Sequence, residues 1–198
     1  MNTSDLTIRK PTTERQSFEV ELSNFNFKTV NKTASELEKI LIMPDVLGFM
    51  KIFFASSSLG VSIFDRNKKQ IAQFGWQKIC TDFHFKNSET NKMCNESEKY
   101  FFKHFKPNKA ISYKCKNGLW DISYPLYRNK TFLGYVTFGQ FFYSSDHIDK
   151  TFFLDRAKRF NFDTEAYIER LKEVPILDAL KLEAHVTLFL KMLDKLSS

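Results

Sequence analysis

The sequence predicts an α+β fold: a five-stranded antiparallel sheet with flanking helices and a C-terminal helical segment. Three observations predict it. Ala110 to Tyr143 reads as three successive strands, because apolar and polar residues alternate with the period of two that a strand imposes. A shorter hairpin pattern precedes it, Leu59–Asp65 and Gln70–Phe74, joined by the turn residues Arg66-Asn67-Lys68-Lys69. Between these two blocks, and again after Tyr143, apolar residues recur at helical spacing. Strands followed by helices and then more strands give an antiparallel sheet with helices packed on it.

In chain order, residues 1–33 are polar apart from Phe18, Val20, Leu22, Phe25 and Phe27, and read as a partly flexible N-terminal arm. Residues 34–43 look helical, with Leu37, Ile40 and Leu41 as the apolar stripe. Pro44 ends that helix or starts the next, Asp45–Ser57. Trp76–Phe85 and Asn87–Phe105 read as two helices, the second capped by Ser88 with Glu89 in its first turn.

In the three-strand block, Ile111, Tyr113 and Cys115 share one face of the first strand. The second strand, Leu119–Tyr127, sends Trp120, Ile122, Tyr124 and Leu126 to one face, and Leu119, Asp121, Ser123 and Pro125 to the other. The third, Thr131–Tyr143, is apolar on both faces and is expected at the sheet centre. Asp146–Phe160, Asp163–Glu173 and Ile176–Leu196 then read as helices, the last opened by Pro175. In it Ala179, Leu182, Val186, Phe189, Leu193 and Leu196 recur at steps of three and four, a heptad seam. Leu177, Leu180, Ala184 and Leu188 form a second stripe. The expected arrangement is that the second stripe packs on its own domain and the seam pairs with another chain, giving a homodimer. The organisation is thus an arm (1–33), a central α+β domain (34–160) and C-terminal helices that carry the dimerisation seam (161–198).

Composition excludes several classes. Apolar residues are 42% of the chain and 22 are Phe, so the chain is globular rather than disordered. It has no apolar run of transmembrane length and opens on a polar segment unlike a signal peptide, which predicts a cytoplasmic protein with no membrane contact. Its three cysteines are expected as free thiols. The net charge is +7, and eight Lys fall between Lys86 and Lys116. No helix-turn-helix, zinc-finger or RNA-binding signature accompanies them, so a solvated basic face, without direct nucleic-acid binding, is expected.

Cys115, Gly118, Leu119, Asp121 and Pro125 form C-x-x-G-L-x-D-x-x-x-P, followed by Gly134 and by Gly139-Gln140. With Cys80 and Cys94 upstream and the run Phe162 to Pro175 downstream, this pattern resembles the PocR sensory domain of bacterial signalling proteins, over roughly residues 40–175. The resemblance implies a PAS-like fold, binding of a small hydrocarbon derivative, and an output module of DNA-binding or kinase type that is absent from this chain.

Candidate chemistry follows. Tyr113, Trp120, Tyr124, Phe138 and Phe142 offer aromatic pocket walls, while Asp121, Ser123 and Gln140 can hydrogen-bond a hydroxyl or carbonyl, with Asp121 near the rim. The alternative is an aromatic core whose polar residues face solvent. Cys80, Cys94 and Cys115 with His84, four residues past Cys80, could hold zinc or iron if the fold gathers them. Their spacing is not that of a zinc finger, and buried packing is the competing reading. A thiol-dependent enzyme ranks third. His84, His104, His147 and His185 lie in no nucleophile motif, and there is no P-loop, G-x-G-x-x-G or H-E-x-x-H, so no catalysis is expected.

Overall fold

The strand most apolar in sequence is the one the sheet is built around. In a computed structural model, which describes residue 37, residues 44–128 and residues 130–196, β5 (Thr131–Tyr143) lies between β1 (Gly60–Asp65) and β4 (Trp120–Arg128), antiparallel to both. β2 (Gln70–Phe74) extends the sheet beyond β1, and β3 (Ile111–Lys114) extends it beyond β4, giving the order β2-β1-β5-β4-β3. The expected arm (1–33) and the helix at 34–43, apart from residue 37, lie outside the described residues.

One face of this sheet is dry. Val61, Ile63, Ile122, Val136, Phe138 and Phe141 point to it. Helix α1 (Pro44–Ser57) covers them with Met50 and Phe53, and the C-terminal helix α5 (Ala179–Leu196) with Leu182, Val186, Phe189 and Leu193. Phe53, Phe138 and Phe189 meet at centroid distances of 4.9–5.7 Å, and each ring contributes about 1.5–3 kcal/mol by leaving water. The other face is covered by helix α2 (Ser88–His104) and carries the cavity described below. A second apolar cluster gathers Leu119 and Phe142 with Phe153 and Ala157 of α3 (Lys150–Arg159) and Tyr167 and Leu171 of α4 (Thr164–Lys172).

The structure corrects several local expectations. The segment expected as helix Trp76–Phe85 holds a π-turn, Cys80–His84, in which the Phe85 N–H reaches back to the Cys80 carbonyl at 2.9 Å. Asn87 caps α2 in place of Ser88, and Asp149 caps α3, each accepting two backbone N–H groups, so α3 begins at Lys150 rather than Asp146. The final helix does not start at Pro175. Ile176–Leu177 forms β6, parallel to β5, with the Phe142 N–H donating to the Pro175 carbonyl. Asp178 then caps α5 by accepting from Leu180 and Lys181, and the sheet has six strands rather than five.

The heptad seam also faces the other way. Leu182, Val186, Phe189 and Leu193 are buried in their own chain, while Leu180, Ala184 and Leu188 lie on the exposed side. These side chains pack with Phe53, Phe138 and the rest of the sheet cluster, so the seam is used within the chain. Among the described residues, no helix is long and apolar enough to cross a membrane.

Candidate functional site: a cavity over the polar face of the sheet

The second face of the sheet is set by the residues that alternate with the dry-face set. Ser62 pairs with Thr137 across β1 and β5, and Thr137 pairs with Ser123 across β5 and β4. Ser123 Oγ and Thr137 Oγ1 lie 2.8 Å apart, and the Tyr113 hydroxyl reaches Ser123 at 3.3 Å. Trp76 Nε1 donates to Ser62 Oγ. These hydroxyls satisfy one another, so a polar stripe can lie inside the molecule without orphaned groups.

Over this stripe lies a cavity of about 420 Å³, within the size range of small-molecule sites. The sheet supplies Phe64, Tyr113, Cys115, Asp121, Tyr135, Thr137, Gly139 and Gln140. The segment after β2 supplies Trp76, Cys80 and Phe85, and α2 supplies Asn91, Cys94, Asn95 and Glu98, with Lys68, Gln70 and Gln73 closing the β1–β2 side. The Tyr135 hydroxyl donates to Glu98 at 2.7 Å, tying α2 to the central strand.

A β-bulge shapes the floor. Trp120 pairs with Phe141 but Asp121 pairs with Gly139, so Gln140 has no partner on β4. The extra residue places both Phe138 and Phe141 on the dry face and turns Gln140 into the cavity, with Gln140 at φ 36°. Its side-chain oxygen accepts the Gln77 N–H at 2.8 Å, and its own backbone N–H donates to the Asp121 carboxylate. Gly139 is required here: a Cβ on it would stand 1.9 Å from Asp121 Oδ1. Removal from water pushes the Asp121 carboxyl up to about 7, against the Gln140 N–H, which pulls it down, and with a smaller upward push from Glu98.

Of the ligand-binding residues expected from sequence, Tyr113, Asp121 and Gln140 line the cavity, with Asp121 on its sheet floor rather than at its rim. Trp120, Tyr124 and Phe138 do not line it. They belong to the dry face, with Trp120 Nε1 donating to Asp146 at 2.7 Å. Phe142 packs in the second cluster, against Phe153. Alternation already separated Trp120 and Tyr124 from Asp121, so a single pocket could not use both sets. Phe64, Trp76, Phe85, Thr137 and Glu98 were missed, and only the strand residues among them share a face pattern with Asp121 that could have found them.

Cys80, Cys94 and Cys115 all line the cavity as free thiols. Burial raises all three, Cys94 to about 11, so they stay protonated and lack the activation a thiol nucleophile needs. His84 is buried, its Nδ1 3.5 Å from Cys80 Sγ and its Nε2 2.8 Å from the Tyr167 hydroxyl. Burial, with Arg156 as a smaller cause, lowers its pKa to about 3, so the ring is neutral. Among the described residues no group of three or more His, Cys, Asp and Glu side chains is assembled to hold a metal ion. The donor set for zinc or iron is therefore not gathered in this arrangement.

Cys94 is held from outside the cavity. Asn117, in the β3–β4 turn, donates to Cys94 Sγ at 2.8 Å and to the Thr90 carbonyl at 2.9 Å. The Asn117 side-chain oxygen accepts from the buried Arg156, whose guanidinium also lies over Phe152 and Phe160. This network joins α2, the turn and α3.

Among known proteins, no curated protein and no solved structure matches the chain. A family model described as "Sensory domain found in PocR" matches residues 39–198, which span the whole sheet, the cavity and the C-terminal helices. The chain belongs to the PocR sensory-domain family.

Proposed function

We propose that the chain is the ligand-binding module of a cytoplasmic signalling or transcription-regulating protein, sensing a small hydrocarbon derivative and passing the signal to an output module. The observation that carries this reading is the cavity itself: aromatic walls over a floor where Asp121 and Gln140 converge at a bulge. Bulges re-aim side chains next to functional sites, and a non-glycine residue at positive φ is kept only where surrounding structure holds it. The role is binding rather than catalysis, in keeping with the sensory family and with thiols that are held protonated.

Signal output is proposed to run through Gln140. The Gln140–Gln77 bond leads to the π-turn, and His84 in that turn bonds Tyr167 of α4. A homodimer is part of the proposal, with the exposed Leu180, Ala184 and Leu188 side of α5 as its candidate face.

Native mass spectrometry of the purified chain, with metal analysis, tests the reading directly. A retained or exchangeable small organic molecule is expected, lost in Gln140→Leu while the far-UV dichroism is unchanged. Full retention by that variant refutes the assignment. Stoichiometric zinc or iron would instead favour a thiol-held metal, for which the three side chains would have to turn toward one centre.

A further inference from the structure

We infer that the cavity takes an organic cation, a small alkyl- or arylalkylammonium whose charged head rests against Asp121 and whose hydrocarbon body lies among Phe64, Trp76, Phe85 and Tyr113. The inference rests on the cavity being the ligand site proposed above.

The charges around the cavity carry it. Its lining holds two carboxylates, Asp121 and Glu98, and one cation, Lys68. Lys68 is engaged elsewhere, its Nζ 3.9 Å from the centre of the Phe102 ring. Glu98 already accepts the Tyr135 hydroxyl. The ion pairs among the described residues, Lys116–Glu96, Arg170–Asp82, Arg170–Glu173 and Lys172–Glu169, leave Asp121 out. Among the described residues, the group that favours its charged form is the Gln140 backbone N–H. A carboxylate can accept several hydrogen bonds, and in a site shielded from water it gains most from a cation that is also a donor. The other titratable groups lining the cavity, Cys80, Cys94, Cys115, Tyr113 and Tyr135, stay neutral up to mildly alkaline pH, where Asp121, whose carboxyl sits at about 7, is ionised, so none of them competes for that cation.

The walls fit the same ligand. Aromatic faces attract an ammonium within about 6 Å of the ring centre, and five aromatic side chains line this cavity. Trp76 and Phe85 stand together at 4.6 Å, and Phe64 and Tyr135 stack at 4.8 Å. A neutral alcohol would find the same apolar walls, but above the Asp121 pKa of about 7 it would leave the ionised carboxylate without a counter-charge.

Matched pairs separate the two chemistries: butylamine, hexylamine and phenethylamine against butanol, hexanol and phenethyl alcohol. Binding to the full chain is read by calorimetry and by Trp76 fluorescence in a Trp120→Phe background, at mildly alkaline pH where the amines are still protonated. The best amine is expected to bind about tenfold more tightly than its alcohol, as a charge-assisted bond in place of a neutral one implies. Asp121→Asn should reduce that preference to about twofold or less while alcohol binding persists, which also reports that the variant is folded. Equal or tighter binding of the alcohols by wild type overturns the cation assignment and leaves the sensory reading standing. A preference that survives Asp121→Asn overturns it as well. Binding of neither series overturns both.

Discussion

Gly139→Ala gives the sharpest test of the floor geometry. The added Cβ would lie 1.9 Å from Asp121 Oδ1, a distance that real side chains do not adopt, and 3.0 Å from its Cγ, a tight contact. Asp121 Cα, in contrast, would be 3.6 Å away, an ordinary contact. The clash therefore comes from the carboxyl group alone. Relief requires the carboxylate to leave the Gln140 N–H, or the bulge to shift, and forced overpacking of this kind costs about 1–3 kcal/mol. Removing the carboxyl by Asp121→Ala should make Gly139→Ala tolerable, to within about 0.5 kcal/mol. The assay is a double-mutant cycle by urea denaturation, checked by thermal melting, where each kcal/mol moves Tm by roughly 2–4 °C in a chain of this size. A coupling energy of about 1–2 kcal/mol or more is expected. If Gly139→Ala costs the same with and without Asp121, the carboxylate does not lie over Gly139, and both the bulge argument and the site built on it fail.

Other outcomes follow from the same contacts. Asp121 has a higher pKa folded, about 7, than unfolded, so the folded chain binds more protons between about pH 4 and pH 7. Its contribution to stability is greatest at low pH and is lost as pH rises to about 7, and Asp121→Asn should remove that slope from denaturation curves taken across the range. Tyr167→Phe removes the hydroxyl partner of buried His84 and should cost about 1–3 kcal/mol in urea unfolding. Asn117→Ala takes the side-chain oxygen away from Arg156, which among the described residues keeps only Met93 Sδ as a side-chain acceptor, and the side-chain donor away from the Thr90 carbonyl, and should destabilise by a similar amount. In the folded state that variant should also slow modification of Cys94 by a thiol reagent, because the Asn117 bond that pulls the thiol's pKa down is lost and less thiolate forms.

The sequence by itself determined the strands and most of the helices. Periodicity is a local property, so the alternation in Leu119–Tyr143 and the hairpin around Arg66–Lys69 can be read without knowing what the residues touch. It also determined which residues share a face, and the motif from Cys115 to Gln140 determined the family. What it could not decide was which face meets which partner. Trp120, Tyr124 and Phe138 have the aromatic character of pocket walls, yet the sheet turns them onto α1 and α5. The seam of α5 has coiled-coil spacing, yet the sheet face is a nearer apolar partner than a second chain. Two further features depend wholly on the tertiary structure: the bulge that rotates Gln140 away from the alternation, and the pairing of Pro175–Leu177 with β5. Each is a register relation between segments distant in sequence. Such relations are set by which arrangement buries the most apolar surface while leaving no polar group unpaired, a balance struck over the whole molecule.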